Sequence, residues 1–290
     1  MRLGLVLYGS LDTVSGGYLY DRQLVAHLRQ AGDEVELISL PWRAYGPHLA
    51  DNLAGALRRR LRAGRWDVLL QDELNHPSLF ALNGWLRRHV RCPIVAIVHH
   101  LRSSEARPAW QNALYRLVER AYLRSVDGFI FNSRTTRAAV LALASPPRGP
   151  AGAAPAGARD IVAYPAADHR GPPLSLDRIE ARLRAPGPLR VLFLGNVIPR
   201  KGLHTLLEAL ARTTGDWRLS VVGGLGVDPA YTSAIQAQIT RQRLNERVAL
   251  LGRLDDAAVR AHLESHAVLA VPSSYEGFGI VYLEALACGL

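Results

Sequence analysis

Residues 271–289 read VPSSYEGFGIVYLEALACG. The apolar residues Val268 to Val271 are the tail of a short strand, Pro272 ends it, and helical character resumes near Ile280. The segment Glu276-Gly277-Phe278-Gly279 therefore falls where a strand stops and a helix starts. Gly277 and Gly279 carry no Cβ, so a ligand can approach the backbone, and the unpaired amides and positive dipole end of the helix favour an anion there. Glu276 stands at the mouth of this junction. Glu284, four residues after Ile280, lies on the same helical face about one turn deeper, leaning back toward the helix start. Two carboxylates beside an anion site repel the anion unless the ligand also carries hydroxyls for them to hold.

A nucleotide sugar offers both groups. Pro272-Ser273-x-x-Glu276-Gly277-Phe278-Gly279, a second glutamate at 284, and Ala285-x-Ala287-Cys288-Gly289 together resemble family 4 of the retaining glycosyltransferases. In that family the first glutamate contacts the transferred sugar, the second holds the ribose hydroxyls, and the amides between them hold the diphosphate. The resemblance implies sugar contact for Glu276, ribose binding for Glu284, and donor binding for Gly277, Phe278, Gly279, Ile280 and Val281. It also implies an α/β fold of the GT-B type, two Rossmann-like parallel-sheet domains facing across a cleft, with the acceptor mainly on the first and the donor on the second. Relatives continue past this point with further strands and a closing helix, so the second domain is expected to be truncated here. A solvated loop and helix with two surface glutamates is the plainer reading of the same residues.

The composition is that of an ordinary soluble enzyme, 49% hydrophobic and 21% charged over 290 residues, enough chain for two α/β domains. No apolar run approaches the ~18 residues of a membrane span, and Leu3 to Tyr8 behind Arg2 is too short for a leader segment and reads as a first strand. The expected location is cytoplasmic, with the inner membrane face as the place of any peripheral contact. Cys92 and Cys288 fall in different halves and show no metal-ligand spacing, so no structural metal is expected. The formal charge of +10 is nearly all arginine, Lys201 being the only lysine. Such a surface attracts phosphate-bearing substrates or anionic membranes, but no nucleic-acid motif accompanies it, and nucleic acid is not expected as a partner.

From the N-terminus, RLGLVLY (2–8) predicts a strand, followed by a Gly-Gly turn, an amphipathic helix and a second strand, a βαβ opening. The amides of Gly16 and Gly17 can face a phosphate or an acceptor at the helix start, or simply make a tight turn; the family carries Gly-Gly here, near donor phosphate and acceptor. LADNLAGALRRRLRAGRW (49–66) predicts one helix, with Leu49, Leu53, Leu57 and Leu61 as a core stripe and arginines 58, 59, 60, 62 and 65 toward its end. A contact with an anionic membrane is the second reading of that helix. WDVLLQDEL and CPIVAIVHH predict strands ending at Asp72-Glu73 and His99-His100, and ligands gather at such strand ends. His99 matches the family's active-site histidine, with His100 the choice if the register slips by one. A helix over 108–124 and a strand DGFIFNS follow, with Asn132 and Ser133 as caps of the next helix.

SPPRGPAGAAPAGARD (145–160) has almost nothing to pack and is expected to be a mobile loop. YPAAD near 164–168 resembles the family's hinge, which places the boundary at Asp168: an acceptor domain over 1–168 and a donor domain over 169–290. The second domain restarts with PLRVLFLGNVIPRKG, whose Arg200 and Lys201 can neutralise a diphosphate. The family's arginine in this loop is replaced by Asn196; Lys201 keeps its match, and Arg200 is the candidate substitute. Asp255 and Asp256 read as helix caps, so no metal site is expected. The resulting expectation is a metal-independent, retaining hexosyltransferase acting on a nucleoside diphosphate sugar, without a separate cofactor, its acceptor a glycan, lipid or small molecule. The alternatives are a non-catalytic nucleotide-sugar binder and a nucleotide-sugar epimerase of the same fold.

Overall fold

The near-continuous apolar run RLGLVLY forms β1 (Arg2–Tyr8), buried from Leu3 onward. A strand covered on both faces needs partners of the same kind and helices above and below, which is the logic of a parallel sheet. The computed structural model describes residues 1–13, 15–144 and 159–290. It divides into two compact units, Met1–Pro165 and Ala166–Leu290, each built on such a sheet.

In the first unit β1 is joined by β2 (Glu34–Leu40), β3 (Val68–Asp72), β4 (Ile94–Val98), β5 (Gly128–Phe131) and β6 (Arg159–Val162), in the order β2-β1-β3-β4-β5-β6 with every described pairing parallel. Its helices are α1 (Gly16–Gln30), α2 (Tyr45–Leu49), α3 (Gly55–Ala63), α4 (His76–Leu79), α5 (Leu82–Leu86), α6 (Ala109–Leu123) and α7 (Arg134–Ala144). Strand alternation sorts the core into two layers: Val6, Tyr8, Leu69, Ala96, Val98, Phe129 and Phe131 on one side, Leu5, Leu7, Leu70 and Ile97 on the other.

The second unit contains α8 (Leu176–Arg184), β7 (Leu189–Leu194), α9 (Leu203–Ala211), β8 (Trp217–Val222), α10 (Pro229–Arg241), β9 (Val248–Gly252), α11 (Asp256–Ser265), β10 (Val268–Leu269) and α12 (Ile280–Leu286). The strand order is β10-β7-β8-β9, again all parallel. Val191, Phe193, Leu219 and Val221 pack with Leu203, Leu207 and Ile235 from the helices on one face. Leu192, Leu194 and Val222 pack with Val259, Leu263 and Ala285 on the other. Each fully buried large side chain of this set contributes roughly 1.5–3 kcal/mol of burial. Asp255 caps α11 by accepting a hydrogen bond from the Ala258 amide at 2.8 Å, as its sequence position predicts.

Three expectations change. The single helix over 49–66 is instead α2, a 3-10 turn over Ala50–Leu53, an extended Ala54, and α3. The cause is Asn52, which is buried and uses its amide on Leu49 O, Pro77 O and the amides of Ala81 and Leu82, fixing a corner where the stripe assumed a continuous turn. Leu53 is consequently exposed, and only Leu61 of the four leucines is fully buried within α3. Second, Asn132 does not cap α7: its Nδ2 donates to the His99 carbonyl at 2.8 Å, and Ser133 alone accepts the Thr136 amide, at 2.9 Å. Third, of the loop expected over 145–160, residues 145–158 lie outside the described ones, while Arg159 and Asp160 open β6. The units divide after Pro165, close to the boundary placed at Asp168, and His169 and Arg170 lie in the second by either division.

Candidate functional site

In an open parallel sheet the loops leaving two neighbouring strands diverge where the order of strands reverses, and that crevice receives ligands. In the first unit the reversal lies between β1 and β3. The loop after β1 leads to Gly16 and Gly17 at the start of α1, where Ser15 caps the helix by accepting the Tyr18 amide at 3.3 Å. β3 ends at Asp72, with Glu73 next in chain, and β4 delivers His99 and His100 just beyond its end.

His99 lies against α1. A Cβ added to Gly17 would stand 3.1 Å from its Cδ2, tighter than an ordinary contact, so Gly17 makes room for the ring. One turn along the same helix, the fully buried Asp21 places Oδ1 3.1 Å from His99 Nε2. Tyr20 meets the ring edge-on, and Asn132 and Thr136 both donate to the His99 carbonyl. Burial by itself lowers the imidazole pKa, but Asp21, Asp72 and Glu73 overcome it and push it up to about 9. Burial raises both Asp72 and Glu73 to about 7, with the Asp21 charge adding to the shift of Asp72. His100 turns elsewhere, its Nε2 3.1 Å from Glu105 Oε1.

In the second unit the reversal lies between β7 and β10. The loop after β7 carries Arg200 and Lys201 in a 3-10 turn (Pro199–Lys201), and the segment after β10 carries Glu276. The two come together: Lys201 Nζ is 2.5 Å from Glu276 Oε1, Arg200 Nη1 is 3.5 Å from Oε2, and Ser273 Oγ donates to Oε1 at 2.6 Å. Arg200 Nη1 also donates to the Tyr275 carbonyl at 2.7 Å, and the Ser274 amide returns a bond to Arg200 O. Burial raises the Glu276 carboxyl, yet Lys201, Ser273 and Arg200 hold it below the usual glutamate value. Burial draws Lys201 down against the pull of Glu276.

Glycine makes this approach feasible at two points. Gly202 has φ 72° and a Cβ there would lie 2.2 Å from Pro272 O, so the Lys-Gly turn can lie on the loop after β10 only without a side chain. Gly279 has φ 83° as the N-cap of α12, and a Cβ would stand 2.6 Å from the Tyr282 ring, whose hydroxyl donates to Val271 O at 2.7 Å. Gly277 and Phe278 lie between Glu276 and this cap; Ile280 and Val281 open α12, where a helix leaves its first amides without internal acceptors.

Glu284, on α12, is 2% exposed. Its Oε1 lies 2.8 Å from His169 Nε2 and 2.9 Å from Arg170 Nε, and Arg170 also reaches Asp256 at 2.8 Å. Its Oε2 is buried without a hydrogen-bond partner among the described residues, as is Nδ1 of His169. Asn196, at the place of the family arginine, accepts the Gly224 amide on Oδ1 at 3.1 Å and ties the loop after β7 to the loop after β8. A Cβ on Gly224 would also stand 3.0 Å from Arg253 Nε, so a second guanidinium lies beside that tie.

Among the described residues, two groups place carboxylate and imidazole ligand atoms within 4.8 Å of one another: Asp21, Asp72 and His99, and Glu73, His76 and Glu119. In the first, the His99 ring nitrogen lies 3.1 Å from Asp21 Oδ1, with Asp72 as a second carboxylate beside the pair. In the second, His76 is pushed down to about 4 by burial, and its Nε2 lies 3.1 Å from the Tyr45 hydroxyl. No helix of the described residues is long and apolar enough to cross a membrane.

The sequence assigned Glu276, Lys201, Arg200 and the Gly277–Val281 segment to donor binding on two separate loops, and the structure joins the first three in one ion-pair cluster. Asp21, Ser273, His169, Arg170 and Arg253 were missed. Asp21 follows Gly17 by one helical turn and so shares its face, a signal that was readable in the spacing. The pairing of His169 and Arg170 with Glu284 spans more than a hundred residues of sequence and left no local trace.

Two family models cover most of the chain. "Glycosyl transferase 4-like domain" matches residues 15–157, and "Glycosyl transferases group 1" matches 177–290. A D-inositol 3-phosphate glycosyltransferase of Kineococcus radiotolerans is 24% identical across 94% of this chain and 71% of its own length. Another of that name, from Xylanimonas cellulosilytica, is 32% identical over 99 residues, 34% of this chain and 24% of that protein. The chain thus spans about a quarter of one such curated relative, and 32% of a third, from Jonesia denitrificans. Among solved structures, sucrose-phosphate synthase of Thermosynechococcus elongatus superposes with a TM-score of 0.77 at 21% identity, over 99% of this chain and 79% of that one. Anabaena HepE in complex with UDP and glucose gives 0.69 at 22% identity, over 100% and 79%. With two consecutive glycosyltransferase models covering both units, and this fold in each, the chain belongs to the family 4 GT-B glycosyltransferases.

Proposed function

We propose that the chain transfers a hexosyl group from a nucleoside diphosphate sugar to a hydroxyl acceptor, with retention of anomeric configuration. The observation that carries this reading is the Lys201–Glu276–Arg200 cluster at the reversal point of the second sheet. A carboxylate that prefers sugar hydroxyls and two cations that prefer phosphate are held together at 2.5 and 3.5 Å, as a ligand bearing both groups requires. When the donor enters, Lys201 and Arg200 move from Glu276 to the diphosphate, and Glu276 is released to the sugar. The two cations then stabilise the charge that develops on the leaving diphosphate, the service a divalent ion performs elsewhere, which makes the reaction metal-independent. The leaving diphosphate takes the acceptor proton on the same face, which preserves the configuration. Glu284, through Oε2, holds the ribose hydroxyls, and His99 contacts the transferred sugar.

The test is incubation with labelled UDP-, GDP- and ADP-hexoses, following nucleoside diphosphate release with and without hydroxyl acceptors in EDTA, and reading the product anomer by NMR. Acceptor-dependent release with retained configuration is expected; binding without release in every combination would replace transfer by the non-catalytic reading, which Asn196 favours because its side chain is committed to Gly224.

A second feature bears on the acceptor. On α6, Trp110, Leu114 and Leu117 are exposed in a row, with Arg116 and Arg124 exposed beside them, whereas α3 turns Leu57 and Leu61 inward and offers only arginines. The peripheral contact with an anionic membrane that is the second reading of residues 49–66 is therefore proposed for α6 instead, which would favour a lipid among the acceptor classes. Flotation with anionic but not neutral vesicles, abolished by Leu117→Glu, is the expected result.

A further inference from the structure

Asp21 on α1 is at 0% exposure with the Asp72 carboxylate within 4.8 Å, and a buried carboxylate beside another is kept only when something offsets it. Its Oδ1 has the His99 ring nitrogen at 3.1 Å; its Oδ2 has no hydrogen-bond partner among the described residues. The arrangement is directional. Gly17 gives the ring its place on α1, Tyr20 meets it edge-on, Asn132 and Thr136 fix the His99 carbonyl, and Asp21 takes Nε2. The remaining ring nitrogen, Nδ1, has no partner among the described residues, and the side chain keeps 13% exposure. The charged groups facing the ring are Asp21 from α1, Asp72 from the end of β3 and Glu73 just beyond it.

We propose that Asp21 is a positioning residue for His99: its buried carboxylate holds Nε2 and leaves Nδ1–H as the donor offered to an oxygen of the transferred hexosyl group. This rests on the transfer reading above, and it names the residue that makes His99 useful to it. Unpartnered, a ring at this depth would be neutral and free to take either tautomer; beside Asp21 it is a cation with one nitrogen already committed.

The experiment uses the whole 290-residue chain with isotopically labelled histidine, comparing wild type with Asp21→Asn and Asp21→Glu. In the wild type His99 is expected to titrate near pH 9 by NMR, and in Asp21→Asn at least one pH unit lower, with recovery in Asp21→Glu. In parallel, Asp21→Asn should lower kcat about 10- to 100-fold with little change in donor KM, the scale seen when a supporting partner of a functional histidine is lost. The alkaline limb of its kcat profile should move down with the His99 titration. A wild-type His99 that titrates below pH 7 overturns the proposal without any variant. So does an unmoved titration in Asp21→Asn, or full turnover in Asp21→Asn or His99→Ala. If the wild type transfers no sugar from any donor, the transfer reading fails by itself, and the titrations still decide whether Asp21 governs His99.

Discussion

Replacing Glu276 by glutamine should move nucleotide affinity and turnover in opposite directions. In the free protein the carboxylate takes Lys201 Nζ at 2.5 Å, Arg200 at 3.5 Å and Ser273 at 2.6 Å, so the cations available to a diphosphate are already spent on it. Glutamine keeps the shape and the Ser273 bond but loses the charge. Lys201, only 13% exposed, is then a poorly solvated cation without its partner, and an incoming diphosphate restores the pairing. A charge-assisted hydrogen bond contributes roughly 1.5–3 kcal/mol. The free Glu276→Gln protein should lose about that much stability in its second unit, and UDP or GDP should bind it roughly 10- to 150-fold more tightly than wild type. Turnover should collapse, because the group that takes up the sugar is gone. Calorimetric titration with nucleoside diphosphate at two salt concentrations, thermal melts with and without nucleotide, and donor-dependent release make the assay. Glu284→Gln is the control: Oε2 has no competing hydrogen-bond partner among the described residues, so nucleotide affinity should fall by roughly the same 1.5–3 kcal/mol. Weaker nucleotide binding in Glu276→Gln, or normal turnover, would refute the exchange of partners.

Gly17→Ala places a methyl 3.1 Å from His99 Cδ2, so the ring must shift by a few tenths of an ångström; transfer should fall while the melting temperature holds or rises, since alanine in a helix is favoured over glycine by roughly 0.5–1 kcal/mol. Lost activity together with a lowered melting temperature would instead mark Gly17 as a packing position. The pH dependence of stability has a definite sign: His99 is raised from 6.5 to about 9, so the folded state binds more protons than the unfolded one across that interval. Its contribution is complete below pH 6.5 and lost as pH rises through about 9, a fall on the order of 3 kcal/mol. Denaturant titrations of the first unit at pH 6.5, 7.5 and 9 read it directly, and Asp21→Asn should flatten the curve; a wild type equally stable at pH 6.5 and 9 contradicts the assignment.

What could be read from the sequence follows from where each determinant sits along it. The strands were legible because burial on both faces writes an unbroken apolar run, as in Leu3 to Tyr8 and Val191 to Leu194, and runs of that kind alternating with helices admit few arrangements besides a parallel sheet. The short-range determinants came through as well: Ser133 and Asp255 each bond an amide three residues on, and the signal lies within a single turn. The helix over 49–66 was misread because its apolar period is sound while the decision belongs to Asn52, whose partners at 77, 81 and 82 lie outside any local window. Glu276 carries the same lesson into the site. Local pattern makes it the mouth of an anion nest, a role in which a carboxylate is out of place. The contact that removes the contradiction comes from Lys201, 75 residues earlier, and it exists because Gly202 lets that turn rest on Pro272. The charge of the site is therefore set by a pairing between two loops, and each loop, read alone, carries half of a ligand's chemistry.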